Sequence, residues 1–238
     1  MAERGHHGNG HGGYNGHGHH LEDGPIKPAP VPHVVPHVVR IANPAPLGLC
    51  GFALTTFVLS CHNAAIFGIS VTTPPNVVVG LALFYGGLAQ LLAGMWEFKT
   101  GNTFGATAFS SYGAFWLSWA AIQIPGFGIK AGYVSAGYER DFVNAIAIYL
   151  LAWTIFTFMM WLGTLRANIA LSALFAFLTI TFMLLCISDF RNSHGFKRAG
   201  GFMGIFTAII AWYIALAGIL THENSYFVLP VGNLAKNR

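Results

Sequence analysis

The stretch Asn43-Pro44-Ala45-Pro46-Leu47-Gly48-Leu49 stands where a polar N-terminal segment gives way to an apolar sequence. Two prolines within three residues fix φ and remove two backbone donors, so residues 43–46 cannot be the interior of a helix. Asn43 precedes a proline and is biased toward an extended conformation, which suits a helix N-cap. Pro46 suits the first helical position. The stretch therefore predicts the start of a helix that continues into the apolar sequence.

The composition of the chain is that of a membrane protein. Only 8% of its 238 residues are charged and 54% are hydrophobic, whereas soluble domains carry about 25% charged residues. The formal charge is +4, but the basic residues are thinly spread, so we expect no nucleic-acid partner. Cys50, Cys61 and Cys186 all lie in apolar stretches. An odd number of cysteines there indicates free thiols rather than a disulfide framework.

We divide the chain into three parts. Residues 1–42 contain eight of the eleven histidines and are rich in glycine and proline, so we expect a disordered cytosolic tail. Neutral imidazoles can bind transition metals, but the spacing matches no closed ligand set, and we expect no metal or other cofactor. Residues 43–230 are predicted to form the transmembrane domain, and residues 231–238 a short C-terminal tail.

Six apolar runs are long enough to cross a bilayer, which takes about 20 residues each. They cover residues 46–68, 76–96, 102–124, 142–162, 167–187 and 201–221. With six spans, both termini lie on the same side of the membrane. Placing that side inside puts seven Lys and Arg in inner segments and five in outer loops, which favours cytoplasmic termini by a narrow margin. We therefore expect a multi-pass plasma-membrane protein.

Small residues recur along the spans. Ala82/Gly86 and Gly101/Gly105 are spaced four apart, and the sixth span begins with two glycines, Gly200 and Gly201. Small residues let membrane helices approach closely, since no hydrophobic effect drives helices together in lipid. The sequence therefore predicts an all-α integral membrane protein whose six helices form a compact bundle.

Neutral polar residues, rather than charges, occupy the interior of the spans. Ser110, Ser111 and Tyr112 follow closely on Thr107. Uncharged hydroxyls and amides can replace part of the hydration of a small solute without trapping it. The alternative is that each Ser or Thr hydroxyl bonds back to its own helix. No Ser/His/Asp order, metal-ligand cluster or phosphate-binding loop stands in a suitable context, so we expect passage of a solute rather than an enzyme.

Two titratable positions near the ends of spans have two readings each. His62 is costly inside a membrane unless it lines water or has a partner. It is either a proton sensor near neutral pH or a neutral imidazole bonded to a neighbouring helix. Glu97 and Lys99 are expected to form an interfacial pair at a helix end, with a proton-coupling pair as the alternative.

The chain from residue 43 to about residue 230 resembles the acetate uptake transporter family, which includes bacterial succinate–acetate permeases and fungal acetate- and ammonia-export relatives. The resemblance is carried in order by residues 43–49 (NPAPLGL), Gly51-Phe52, Thr55-Thr56, His62-Asn63, residues 84–90 (FYGGLAQ), Gly94, Glu97, residues 99–104 (KTGNTF), Thr107-Ala108-Phe109, Ser111-Tyr112-Gly113, Phe115-Trp116, Gly163-Thr164-Leu165 and Tyr213.

The resemblance implies a six-helix protomer, a homo-hexamer, and one pore per protomer for acetate, other short monocarboxylates and, in some members, succinate. It also implies a hydrophobic constriction at Phe52, Tyr112 and Leu178, and Ala211 is matched to a selectivity position. The expected substrate path comprises Asn43, Thr55, Thr56, His62, Asn63, Gln90, Glu97, Thr107, Ser111, Thr179 and Ala211.

Two questions stay open at this level. The protein is either an acetate channel or proton-coupled carrier, or a membrane acetate sensor or an acid-adaptation and ammonia-export regulator that transports little. Asn43 is either a polar contact at the pore mouth, beside helix N–H groups freed by Pro44 and Pro46, or a plain helix cap.

Overall fold

The computed structural model describes Gly13 and residues 41–234, and in these residues the chain forms eight α-helices. The helices are α1 (Ala45–Ala64), α2 (Val78–Leu83), α3 (Gln90–Thr100), α4 (Thr103–Gln123), α5 (Ile129–Ser135), α6 (Glu139–Thr164), α7 (Ile169–Arg191) and α8 (His194–Ile219). A π-helix, Phe84–Ala89, joins α2 to α3, and a 3-10 turn, Pro125–Phe127, precedes α5. The predicted N-terminal tail lies outside the described residues, apart from Gly13 and residues 41–42.

Five helical segments of the described chain are long and apolar enough to cross a membrane. They are Ala45–Ala64, Val78–Thr100, Glu139–Thr164, Ile169–Arg191 and His194–Ile219. The third predicted span corresponds to α4, which has 21 residues and no charged side chain. The many Gly, Ser and Thr residues of α4 lower its mean hydropathy, so α4 is not one of the five apolar segments. The prediction of an all-helical membrane protein is confirmed for the described residues.

The helix start at residues 43–46 differs slightly from the prediction. Pro44 has helical dihedral angles and is the N-cap, so α1 begins at Ala45, one residue before the predicted position. The backbone N–H of Gly48 donates to the Pro44 carbonyl at 3.3 Å. Proline is tolerated here because first-turn N–H groups have no intrahelical acceptor.

The turn between α7 and α8 is shorter than predicted. The predicted spans 167–187 and 201–221 leave a break of thirteen residues, but the structure reduces it to residues 192–193, since α8 already begins at His194. Arg198 therefore lies on a helix, where its Nε donates to the carbonyl of Ala64 at 3.3 Å. Ala64 is the last residue of α1. A cation stabilises the unpaired carbonyls at a helix C-terminus, here that of α1. This contact explains why the charged Arg198 can lie near the start of α8.

Glycines allow α1 to approach its neighbours closely. Gly86 in the π-helix lies directly against Thr55, and Gly204 in α8 lies against Ser60, so a side chain at either glycine would overlap α1. Gly101 has a different role from the one predicted. Its φ of +79° ends α3 in the left-handed conformation, so Gly101 and Gly105 are not a helix-packing pair.

The C-terminal segment pairs with the start of α7. Ile169 donates its N–H to the Gly232 carbonyl at 2.8 Å, and Ala170 donates to Val231 at 3.1 Å. These N–H groups have no acceptor within their own helix. The sequence assigned residues 231–234 to a C-terminal tail, but carbonyls of this segment accept hydrogen bonds from the first N–H groups of α7. Residues 235–238 lie outside the described chain.

Candidate functional site

Two cavities lie within the bundle, one at each end. The N-side cavity, of about 170 Å³, lies among the first halves of α1, α4 and α7. Its lining includes Leu49, Gln90, Asn102, Asn168 and Phe175. The C-side cavity, of about 300 Å³, lies among the second halves of the same helices. Both cavities have mainly apolar walls with a few polar groups, as small-molecule sites usually have.

Phe52, Tyr112 and Leu178 lie together between the two cavities. Phe52 and Leu178 line both cavities, and Tyr112 lines the N-side cavity. The rings of Phe52 and Tyr112 meet edge to face, with centroids 5.9 Å apart. The three residues are 5%, 3% and 2% exposed, respectively. We call them the collar, because they are the apolar contact between the two cavities.

An asparagine lies at or next to the N-cap of each of the three helices that carry the collar. Asn102 accepts a hydrogen bond from the Gly105 N–H at 3.0 Å, and Asn168 accepts one from the Leu171 N–H at 2.8 Å. Asn43 accepts one from the Ala45 N–H at 3.1 Å. Asparagine favours such positions because its side-chain oxygen satisfies an N–H that has no intrahelical acceptor.

Each collar residue follows one of these asparagines at almost the same distance. Phe52, Tyr112 and Leu178 come nine, ten and ten positions after Asn43, Asn102 and Asn168. At 1.5 Å per residue, this distance is about 14 Å, or roughly half the thickness of the bilayer core. The three helices therefore carry the collar at a similar distance from their N-terminal ends.

Neighbouring side chains hold Tyr112 in place. Its hydroxyl donates to Thr157 Oγ1 at 2.8 Å, and both groups are buried. Its ring also packs against Trp153, Phe156 and Phe175 with centroid distances of 5.6 to 6.1 Å. Tyr112 therefore presents a fixed aromatic face to the N-side cavity, and its hydroxyl is already occupied by Thr157.

Gln90 supplies the N-side cavity with a buried amide. It is only 1% exposed, and its Oε1 has no hydrogen-bond partner among the described residues. Gln90 directly follows the π-helix, a deviation that often marks functional sites because it changes which side chains face inward. The sequence motif at residues 84–90 marked this region, but its apolar pattern did not indicate a π-helix.

The C-side cavity carries several polar groups close to the collar. Thr56 and Asn63 of the expected path line it, together with Ser60. Thr56 Oγ1 and Trp116 Nε1 are buried without a hydrogen-bond partner in the described part of the chain. Trp116 was matched as a motif residue but not proposed as a polar one, because tryptophan in an apolar run is usually part of the core.

Three expected path residues bond to their own helices. Thr55 donates to Gly51, Thr107 to Thr103 and Thr179 to Phe175, each from the side-chain hydroxyl to a backbone carbonyl at 2.7 to 2.9 Å. Thr107 is also exposed. None of the three lines either cavity. For these residues the structure matches the second reading of the sequence, in which the hydroxyl is structural.

The remaining expected path residues also lie outside the two cavities. Asn43 is exposed, His62 is half-buried with an unpartnered Nδ1, and Ala211 is fully buried in the core. Ser111 is half-buried on α4. None of these four lines either cavity.

Glu97 is also away from both cavities, and it is buried at the end of α3. Its Oε2 accepts a hydrogen bond from the Thr100 hydroxyl at 3.2 Å. Lys99, its expected partner, is exposed. The contact that Glu97 makes is therefore with Thr100 rather than with a cation.

The described residues offer neither a metal site nor a disulfide. Within residues 41–234, no group of three or more His, Cys, Asp and Glu side chains is arranged to hold a metal ion. The eight N-terminal histidines lie outside the described residues. Cys50, Cys61 and Cys186 are free thiols.

Comparisons with known proteins point to one family. The family model described as the GPR1/FUN34/yaaH family matches residues 25–236. The chain is 51% identical over 212 residues to ammonia transport outward protein 2 of Saccharomyces cerevisiae, covering 89% of this chain and 71% of that protein. It is 48% identical over 202 residues to acetate permease A of Emericella nidulans, covering 82% and 67%, respectively.

Bacterial relatives extend the comparison to a solved structure. The succinate-acetate/proton symporter SatP of Escherichia coli is 38% identical over 196 residues, with 81% of this chain and 96% of that protein covered. The structure of the bacterial acetate channel SatP matches with a TM-score of 0.69 and 36% identity, covering 81% of this chain and 100% of that chain. The resemblance noted in the sequence is confirmed: this chain belongs to the GPR1/FUN34/yaaH family of membrane proteins.

Proposed function

We propose that the protein transports acetate and other short monocarboxylates across the membrane, between the N-side and C-side cavities and through the collar. The observation that carries the proposal is that Phe52 and Leu178 line both cavities. An apolar collar of this kind screens a solute by the size of its hydrocarbon end, while neutral polar groups on either side bind its carboxylate.

The electrostatics of the N-side cavity favour an anion. The first turns of α1, α4 and α7 contribute Ala45, Asn102 and Asn168 to its lining. The N-terminus of each helix carries a partial positive charge that attracts anions, and the effect is confined to the first turn. No Lys or Arg of the described chain lines this cavity. The attraction is therefore weak enough to release the carboxylate again.

Gln90 completes the proposed path on this side. Its amide has both donors and an acceptor. The Gln90 NH₂ group can donate a hydrogen bond to a carboxylate oxygen, whereas the unpartnered Oε1 is an acceptor and needs a donor such as water. The similarity to acetate permease A and to the succinate-acetate/proton symporter SatP supports acetate as the substrate.

The proposed assembly is a homo-hexamer in the plasma membrane, in which α4 is the sixth span and both termini are cytoplasmic. Each chain contains both cavities and the collar, which supports one pore per protomer. Leu88, Leu92 and Met95 are exposed on one face of the second span, where lipid or a neighbouring protomer would cover them. Native mass spectrometry in detergent should give six times the protomer mass, and a monomer would contradict this assembly.

Uptake of labelled acetate into liposomes that contain only this protein tests the proposed function. We expect uptake well above that of empty liposomes. Proton coupling predicts accumulation above equilibrium when a pH gradient is imposed, whereas a channel predicts only faster equilibration. Uptake equal to that of empty liposomes, with correctly folded protein, would contradict the proposal and favour the sensor.

The second candidate function is ammonia export or its regulation. The observation that favours it is the 51% identity to a protein named ammonia transport outward protein 2. The cavities support it less well, because helix N-termini at the N-side cavity disfavour ammonium. Parallel uptake measurements with labelled methylammonium and labelled succinate test whether ammonium or succinate is also a substrate. We expect acetate to be taken up faster than either compound.

A further inference from the structure

The buried polar groups of the C-side cavity form a pattern relative to the collar. Thr56 follows Phe52 by four positions in α1, and Trp116 follows Tyr112 by four positions in α4. Residues four apart lie on the same face of a helix, about one turn or 5.4 Å along its axis. Both residues line the C-side cavity. Two polar side chains therefore lie one turn beyond the collar, on the faces that carry it.

Neither group has a hydrogen-bond partner. Trp116 is 2% exposed and Thr56 is 6% exposed, and Trp116 Nε1 and Thr56 Oγ1 are unpartnered in the described chain. An indole N–H is a donor only, so it requires an acceptor. A buried donor without an acceptor is destabilising, and such a group in a native protein calls for an explanation.

We propose that Trp116 and Thr56 form a carboxylate-binding site on the C-side of the collar, with Trp116 Nε1–H and the Thr56 hydroxyl donating to the carboxylate oxygens. The inference rests on the proposed function and adds to it a binding step after the collar. The apolar end of the solute faces Phe115 and Phe182, which line the same cavity. The ligand class is a short monocarboxylate.

The charges near this site are consistent with release of the anion. Asp189 and Lys197 are the Asp, Glu, Lys and Arg residues that line the C-side cavity within the described chain. Lys197 Nζ donates to the Val71 carbonyl at 3.2 Å, so the loop already engages it. Trp116 and Thr56 offer two neutral donors, which bind an anion without holding it as a fixed charge would.

The test compares acetate uptake kinetics in proteoliposomes for Trp116→Phe and Thr56→Val. Both changes remove a donor and retain most of the side-chain volume. We expect each to raise the half-saturating acetate concentration by about ten- to a hundredfold, the loss expected for one hydrogen bond to an anion. Thr56→Ser, which keeps the hydroxyl, should restore a value within about twofold of the unmodified protein.

Two matched variants control for changes in packing. Trp161→Phe removes an indole N–H from a tryptophan that packs against Phe158 and lines neither cavity, and that N–H is not a buried, unpartnered group. Thr154→Val removes a hydroxyl that donates to the Leu150 carbonyl, away from both cavities. Both should leave the half-saturating concentration within about twofold.

The outcomes separate this inference from the proposed function. If the unmodified protein gives no uptake, the proposed function fails. If the unmodified protein transports acetate but Thr56→Val and Trp116→Phe keep its half-saturating concentration, the site is overturned. Should Trp116→Phe not fold, the pair Thr56→Val and Thr56→Ser decides, because valine and serine differ in whether they keep the donor.

Discussion

At the scale of single residues, the hydroxyl groups of the spans fall into two kinds. Thr55 and Thr179 donate to a carbonyl of their own helix, whereas Thr56 has no partner and lines a cavity. The first kind is already satisfied and contributes local structure. The second kind lacks a partner in the described chain, and we propose that the solute supplies it. Thr55 and Thr56 are adjacent in the sequence, so the sequence alone does not show which of them faces a cavity. The orientation of α1 about its own axis decides this.

Asn43 provides the first residue-scale prediction. Its Oδ1 caps the Ala45 N–H, and its side chain lines neither cavity. We expect Asn43→Ala to lower the free energy of unfolding by about 1 kcal/mol, the usual value of one hydrogen bond, and to leave the half-saturating acetate concentration unchanged. Thermal unfolding in detergent and liposome uptake measure the two quantities. Asn43→Ser, which keeps a capping oxygen, is the control.

The opposite result would restore the pore-mouth interpretation of Asn43. A raised half-saturating concentration with unchanged thermal unfolding would mean that Asn43 contacts the solute rather than only the helix end.

Tyr112 provides the second prediction. Tyr112→Phe keeps the ring of the collar but leaves the fully buried Thr157 hydroxyl without its donor. We expect a loss of about 1–3 kcal/mol in the free energy of unfolding and no change in selectivity among monocarboxylates. The double variant with Thr157→Val should be more stable than Tyr112→Phe alone, because no unpaired group remains. A change in selectivity would show that the hydroxyl itself contacts the solute.

At the scale of helices, the π-helix determines how the second span meets α1. Its Gly86 lies against Thr55, and the Gln90 that follows it lines the N-side cavity. The sequence predicted the small residues of this region and their close packing. It could not predict the π-turn, because hydrophobic periodicity does not distinguish one extra residue in a turn from a regular helix.

Gly86→Ala tests this contact. The new methyl group would overlap the Thr55 side chain, so we expect a lower unfolding temperature in detergent. Adding Thr55→Ala should recover part of the loss, since the two positions touch and their effects are coupled. Gly80→Ala in α2 is the control, because no atom lies within 4 Å of a Cβ there. Equal effects of Gly86→Ala and Gly80→Ala would contradict the close contact.

Helix ends show where local rules were sufficient and where they were not. Each predicted span corresponds to a helical segment, and the Pro-rich start of α1 was predicted to within one residue. The turn at residues 192–193 was missed because Lys197 and Arg198 were taken for loop residues. Lys197 donates to the Val71 carbonyl, and Arg198 donates to the Ala64 carbonyl at the end of α1. Both contacts depend on tertiary structure.

At the scale of the whole molecule, three capped helices produce the candidate path. Because α1, α4 and α7 begin on the same side, their first turns surround one cavity and their second halves surround the other. The three collar residues could be matched from the family resemblance. Their position between two cavities could not, because it depends on the relative rotation of helices that have almost no amphipathic pattern.

The same reasoning explains which site residues the sequence could not identify. Nearly every span is apolar on all faces, so periodicity does not indicate which Ser, Thr or Asn faces inward. Motif matching therefore included exposed Thr107 and omitted the polar role of Trp116. The polar residues that face a cavity can be identified only once the helices are assembled, because the cavities form between helices.

The central claim is that the solute passes the collar, and the ratio of butyrate to acetate uptake in proteoliposomes tests it most directly. Phe52→Ala removes an aromatic ring that lines both cavities, and Phe52→Leu is a milder change if alanine prevents folding. Phe57→Ala is the matched control, because Phe57 lies on the same helix, packs against Trp212 and lines neither cavity. We predict that the ratio rises severalfold in the Phe52 variants and stays unchanged in Phe57→Ala. An unchanged ratio and unchanged rates in folded Phe52 variants would contradict passage through the collar.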